Sequence, residues 1–281
     1  MLPYDDLAAA WRALRGTGVA SVREVACVGV ARTMLVAEIA GQRGFPTIAL
    51  AAGVHGDEPA GPWALLSIVR DGLLDRRFAY RIWPCTNPSG YRAGTRENAE
   101  SHDINRSFHK GGTTPEARAM IASNRDRRFA LSLDLHEDFE ADGYYCYEPV
   151  VDGETPFGDA MIRALDDAEL GVQDLDDAFE LGYPPEAHHL RTLARGHIRN
   201  DPGAERAFFE VTPYSLYLLQ KAARYAMTLE SPRTRPWEER LAMHRTAVTA
   251  VLGAFVRTID TAGGVEPAGG AIPDKNFHTE C

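Results

Sequence analysis

The chain has 281 residues, 44% of them hydrophobic, with 30 Lys and Arg against 40 Asp and Glu and a formal net charge of −10. This balance excludes disordered and fibrous classes and fits one large soluble α/β domain better than two small ones. The acidic surface without a basic run argues against nucleic-acid or membrane partners; with no apolar stretch of roughly 18 residues and an acidic start, MLPYDDLAAAWRALRG, a cytoplasmic protein acting on small molecules is expected.

In chain order, Thr33 to Ala40 and Pro46 to Val54 read as strands, the second almost continuously apolar, as in a strand covered on both faces. Glu58 to Arg70 reads as a helix, with Trp63, Leu66 and Val69 to Arg70 spaced by three and four. Ala79 to Cys85 returns as a strand and completes a βαβ unit. Phe129 to His136 alternates and ends in Glu137 and Asp138, with Tyr144 to Tyr147 as a segment that pairs beside it. The stretch from Pro149 to Gly203 reads as loop-rich. Tyr214 to Ala223 then reads as helix and Arg224 to Glu230 as a strand stopped by Pro232. A last helix starts near Pro236, with Glu238 and Glu239 in its first turn and Leu241, Val248, Val251, Leu252 and Phe255 on one face. The expected fold is α/β: a single domain over residues 1–258, with a mixed, mostly parallel twisted sheet flanked by helices. Residues 259–281, with TAGGVEPAGG, read as a flexible or surface-draped tail. Cys27, Cys85, Cys146 and Cys281 form no CxxC pair and read as buried reduced thiols.

The residues that carry chemistry fall in four places. His55-Gly56-Asp57-Glu58 lies where a buried strand gives way to a helix, the edge at which α/β sheets place their sites. A spacing of three there can bring an imidazole and a carboxylate to one ion. His136 stands at another strand end, in Leu133-Asp134-Leu135-His136, with Asp134 on the same side of the strand. Either signal alone fits an ordinary polar turn or a satisfied strand-end histidine. Together, two neutral imidazoles and a carboxylate make the ligand set of a catalytic zinc site with a fourth position for water. Asn87-Pro88-Ser89-Gly90-Tyr91 is followed by Arg96 and then by Asp103-Ile104-Asn105-Arg106. A guanidinium beside a carboxamide suits recognition of a carboxylate, and a separate arginine can meet an oxyanion, although a charged surface loop has the same composition. Finally, Thr228-Leu229-Glu230-Ser231-Pro232 closes an apolar strand with a single acid.

In this order and placement (HGDE, NPSGY, Arg96 with DINR, DLH, TLESP) the chain resembles the zinc carboxypeptidase family from about Thr47 to Pro232, apart from an unmatched middle. The resemblance implies one zinc per chain on His55, Glu58 and His136, with Glu230 as the base that activates water at the metal. It makes Arg96 the arginine that polarises the scissile carbonyl, Asn105 and Arg106 the pair that holds the substrate's terminal carboxylate, and Asp103 the acid that orients a zinc histidine. Glu210 is the rival base, without the strand-end setting of Glu230. The family also implies a mobile tyrosine over the site, with Tyr183, Tyr214 and Tyr217 as candidates. The short interval between Glu58 and His136 is closer to the compact peptidoglycan-peptide amidases and the succinylglutamate desuccinylase and aspartoacylase relatives than to the digestive enzymes.

The leading expectation is a zinc-dependent metallocarboxypeptidase that hydrolyses the C-terminal amide bond of a small peptide. The alternative is an N-acyl amino acid deacylase of the desuccinylase and aspartoacylase type, whose segment usually reads NPxA and which adds a C-terminal β domain, where only about 50 residues follow Glu230 here. A metal-binding protein without catalysis is the third reading, and the filled set of polar positions stands against it. Asp57, Glu137 and Asp138 raise the further expectation of an amine on the departing residue or its neighbour, although rim solvation accounts for them equally well.

Overall fold

Five of the six residues of β3 (Thr47–Ala52) are buried, so the sheet that contains it must be covered on both faces. The computed structural model describes residues 2–27, 29–150, 156–175, 191–200 and 212–261. The other strands are β1 (Ser21–Ala26), β2 (Thr33–Ile39), β4 (Ala79–Trp83), β5 (Phe129–Asp138), β6 (Tyr145–Pro149), β7 (Arg191–Ala194), β8 (His197–Asn200) and β9 (Ala223–Pro232). Among the described residues they form one nine-stranded mixed sheet, ordered β1-β2-β4-β3-β5-β9-β6-β8-β7. The central strands β4, β3, β5 and β9 run parallel, and antiparallel pairs join them to the flanking strands.

Alternation along β3 divides the core in two. Ile48, Leu50 and Ala52 face a layer of α1 (Tyr4–Ala13), α2 (Ala60–Arg70), α5 (Gly158–Asp167) and α7 (Trp237–Thr261), which contribute Trp11, Leu65, Ile68, Met161, Val251 and Phe255. Ala49 and Ala51 face the opposite layer, where α4 (Pro115–Asn124) supplies Met120 and α6 (Tyr214–Lys221) supplies Leu218. The short helix α3 (Pro88–Ala93) follows β4. The expected βαβ unit is β3-α2-β4, with its two strands parallel.

Several parts differ from the sequence reading, which proposed none of β1, α3 and α4 and set Tyr144 to Tyr147 beside Phe129 to His136, whereas β6 pairs with β9. Tyr4, Leu7, Ala8 and Trp11 recur at helical spacing and bury one side of α1, an element the reading did not propose. The stretch read as loop-rich contains α5, β7 and β8. Phe157, Met161 and Leu165, four apart, are its apolar stripe, too short and too interrupted by Asp and Ala to stand out. The last helix continues to Thr261, through the first positions of the expected tail, and 262–281 lie outside the described residues. Cys27, Cys85 and Cys146 are buried free thiols as expected; burial pushes Cys27 up to about 11 and Cys85 up to about 12, so neither supplies a thiolate near neutral pH. Cys281 lies outside the described residues.

Candidate active site

The site forms at the carboxyl ends of the parallel strands. After β3, Gly53 takes a left-handed φ of +63° and turns the chain so that His55 and Glu58 point back over the strand ends. Gly56 lies so close to α3 that a Cβ there would stand 1.9 Å from the carbonyl carbon of Gly90. Asn87 caps α3 by accepting from the Gly90 amide at 2.9 Å, and its Nδ2 donates to the Arg96 carbonyl at 3.1 Å. The Gly56 amide reaches that same carbonyl at 3.4 Å. NPSGY therefore acts as a clamp that ties the HGDE turn to the loop bearing Arg96.

His55, Glu58 and His136 are all buried, and each offers one ligand atom within 4.8 Å of the others. The Nδ1 atoms of both histidines face Glu58: His55 lies 2.5 Å from Oε1 and His136 lies 3.0 Å from Oε2. Their Nε2 atoms face other carboxylates. His136 Nε2 meets Asp134 at 3.1 Å, whereas His55 Nε2 stands 3.4 Å from Asp103, long for a hydrogen bond. A carboxylate on the far nitrogen is how metal-binding imidazoles are held in the correct tautomer. Asp103 was expected in that role; Asp134 was not assigned one, although its position two residues before His136 was the signal.

Burial disfavours charge on both imidazoles, yet Glu58 with Asp103 raises His55, and Asp134 with Glu58 raises His136 well above the usual histidine range. Burial likewise works against ionised Glu58, but the two histidines hold its carboxyl far below the ordinary value. The cluster thus requires positive charge among its carboxylates. A divalent cation bound by the two Nδ1 atoms and Glu58 supplies that charge with neutral imidazoles, so the donor set fits a metal.

Glu230 on β9 pairs in register with His136 on the parallel neighbour β5, which puts both side chains on one face about 4.8 Å apart along the sheet. Burial and the carboxylates of Glu58 and Asp138 push Glu230 up to about 8, partly offset by the histidines. It belongs to the site without being one of the grouped ligands. The rival Glu210 and the candidate Tyr183 lie outside the described residues. Tyr214 is buried against Phe108 at 5.0 Å between ring centres, and Tyr217 packs on the same ring at 5.8 Å, so both serve the α6 layer.

Arg96 donates to Asp103 from Nε at 3.1 Å and from one terminal nitrogen at 2.9 Å. Its other terminal nitrogen stands 3.3 Å from His55 Nδ1 and 3.9 Å from Glu58, beside the ligand set. Asp103 also caps the turn that carries the clamp residues, accepting from the Asn105 amide at 2.7 Å. Asn105 is buried and its Oδ1 accepts from the Tyr214 amide at 2.9 Å, which fixes its carboxamide. Arg106 is exposed, and among the described residues its side chain bonds only the Asn105 carbonyl, at 3.2 Å, and forms no ion pair. Of the three acids expected at the rim, Asp57 pairs with Arg233 at 2.8 Å. Glu137 points to the opposite face, where it accepts from the Ala60 amide at 2.7 Å at the start of α2 and pairs with Arg240. Asp138 accepts from the Tyr145 hydroxyl at 2.8 Å. These commitments leave little free acid to receive a substrate amine.

Comparison with known proteins adds to this geometry. Residues 45–173 match the model of the succinylglutamate desuccinylase/aspartoacylase catalytic domain, a segment that includes His55, Glu58 and His136 but not Glu230. Carboxypeptidase SOL1 of Arabidopsis thaliana is 31% identical over 111 aligned residues, covering 32% of this chain and 23% of that protein, so the match spans less than a quarter of the relative. Among solved structures, a Shewanella amazonensis protein assigned to the metallopeptidases superposes with a TM-score of 0.71 at 22% identity, over 88% of this chain and 91% of that one. A metallo-carboxypeptidase from Burkholderia cenocepacia gives 0.65 at 18% identity, over 89% and 68% of the two chains. Carboxypeptidase A from Helicoverpa armigera gives 0.63 at 16% identity, over 94% and 74%. The segment that bears the His-Glu-His group is thus similar to the desuccinylase/aspartoacylase catalytic domain, and the chain shares the fold of these solved structures over almost its whole length.

Proposed function

We propose that the protein is a zinc-dependent metallocarboxypeptidase that cleaves the C-terminal amide bond of a small peptide. The observation that carries hydrolysis is the register of Glu230 beside His136, which sets a carboxylate next to, but outside, a buried His-Glu-His ligand set. Zinc held by His55, Glu58 and His136 would supply Lewis acidity and lower the pKa of the water it binds toward about 7. With such an ion bound, its charge would offset those of Glu58 and Asp138, and Glu230 would be held ionised. Glu230 then takes the proton from the attacking water and delivers it to the leaving amine. Arg96 stands where negative charge develops on the carbonyl oxygen, and Arg106 with Asn105 offers a cation and a fixed carboxamide to a terminal carboxylate.

A second reading is favoured by one finding: the family model that matches is that of the desuccinylases and aspartoacylases. An N-acyl amino acid deacylase would use the same base, metal and carboxylate clamp on a substrate shortened to a single amino acid. NPSGY does not separate the two, because here its Asn, Ser and Gly hold backbone rather than face the ligand set. Hydrolysis assays on free peptides, C-terminally amidated peptides and N-succinyl and N-acetyl amino acids decide between them. The carboxypeptidase reading expects cleavage of free peptides and a clear loss of activity on amidation, because the charge-assisted contact of Arg106 with the terminal carboxylate is then gone. Rapid release of acyl groups from single amino acids with negligible peptide cleavage assigns the protein to the deacylases.

A further inference from the structure

A cavity of about 570 Å³ lies at the opposite end of the sheet from the ligand trio, between the end of β2 and the beginnings of β3 and β4. Its lining includes Thr47, the first residue of β3, whereas the catalytic turn follows Ala52 at the other end of that strand. Four arginines line it, Arg15, Arg76, Arg81 and Arg127, against the single carboxylate of Glu38. In a chain with a net charge of −10, this is a concentration of positive charge in a concave space of the size that holds small ligands.

Of the four, Arg81 is buried, whereas Arg15, Arg76 and Arg127 are exposed and each is tied to an acceptor beside the cavity. Arg81 is 1% exposed, donating from Nε to Asn124 at 2.6 Å and from a terminal nitrogen to the Ser123 carbonyl at 3.1 Å, and it pairs with Glu38. Arg127 shares that same carboxylate at 3.0 Å, so one acid serves two cations. Arg15 donates from Nε to the Val22 carbonyl, and Arg76 donates from a terminal nitrogen to the Val19 carbonyl at 3.3 Å. Among the described residues neither Arg15 nor Arg76 has a carboxylate partner, and backbone acceptors occupy only part of each donor fork. Burial, and then repulsion from Arg127 and Arg23, weakens the hold of Arg81 on its proton in spite of Glu38. The group is short of negative charge.

We propose that this cavity binds a small anion carrying at least two negative charges, of the phosphate-ester or polycarboxylate class, at a site separate from the catalytic one. Planar guanidinium forks on facing elements suit two-point recognition of phosphate or carboxylate oxygens, and the Arg15 and Arg76 forks supply the free donors. The test is calorimetric titration of the metal-loaded protein with glucose 6-phosphate and with tricarballylate, two probes of suitable size that are weak zinc chelators. Saturable binding of at least one is expected, weakened at least tenfold by the double variant Arg15→Ala/Arg76→Ala and by added salt, and unchanged in Arg106→Ala. The tighter of the two probes identifies the ligand class. Both substituted arginines are exposed, so the double variant should fold and keep its basal hydrolysis. Binding that survives the double variant but is lost in Arg106→Ala would place the anion at the catalytic clamp, and the absence of saturable binding by either probe at millimolar concentration would likewise overturn the proposal.

Discussion

Asp134 holds the far nitrogen of His136 at 3.1 Å and has no other assigned task at the site. Asp134→Asn keeps the shape but removes the charge that fixes the ring, so metal affinity should fall roughly 10-fold to 100-fold in a chelator-competition titration. His136→Ala and His55→Ala should lose the metal altogether by elemental analysis, with the fold intact by circular dichroism. Full occupancy in both would mean that the ion is held elsewhere. Glu230 is distinguished from these ligands by a different outcome. Glu230→Gln should retain the metal and lose about 10²-fold to 10⁴-fold in turnover, because only the proton acceptor is gone. A Gln variant that works near the normal rate would move the base to another acid. The placement of these residues was legible where an imidazole or a carboxylate ends a strand. The engagement of Asp57 with Arg233, 176 positions away, was not, because nothing local predicts which distant cation a surface acid will meet.

At the scale of elements, the HGDE turn and α3 depend on contact between two backbones. A methyl at Gly56 would meet Gly90 at 1.9 Å and the Tyr91 amide at 2.1 Å, distances that no rotamer can relieve. Gly56→Ala should therefore cost about 1–3 kcal/mol or more in urea unfolding and depress activity beyond that, because the same shift moves the Arg96 carbonyl held by Asn87 and Gly56. A wild-type unfolding midpoint in this variant would show that α3 can retreat freely. The strands were readable because apolar residues alternate with other types along β5 and run continuously along β3, although β5 is buried on both faces. That same alternation turns His136 toward the ligand set and Glu137 away from it, onto the start of α2.

For the molecule as a whole, stability in acid bears on His244, which is fully buried on α7 and whose Nδ1 lies 2.9 Å from the Tyr144 hydroxyl. Burial, reinforced by His136, pulls its pKa down to about 3, against about 6.5 for an unfolded histidine. The unfolded chain therefore binds a proton more readily between pH 6.5 and 3, so this group's contribution to stability is present above about 6.5 and is lost as the pH falls through that window. His244→Gln removes the proton site. The variant should be less stable than the wild type at pH 7.5, and the gap should shrink as the pH approaches 4 in denaturant titrations. A gap that stays constant with pH would show that His244 is neutral in neither state's favour.

The sequence by itself determined which residue types end the parallel strands, and hence the candidate ligand trio, the βαβ unit at its centre and the acid on the neighbouring strand. Those features are written in short-range periods and spacings that burial enforces along a single element. Only the tertiary structure decided what the charges between elements do. Asp134 turns onto His136, Asp57 and Glu137 are taken by Arg233 and Arg240, and Arg15, Arg76, Arg81 and Arg127 converge on one cavity from three separate parts of the chain. The physical reason is range: apolar burial leaves a repeating local pattern, whereas a charge pairs with whichever partner the packing of distant elements brings within a few ångströms.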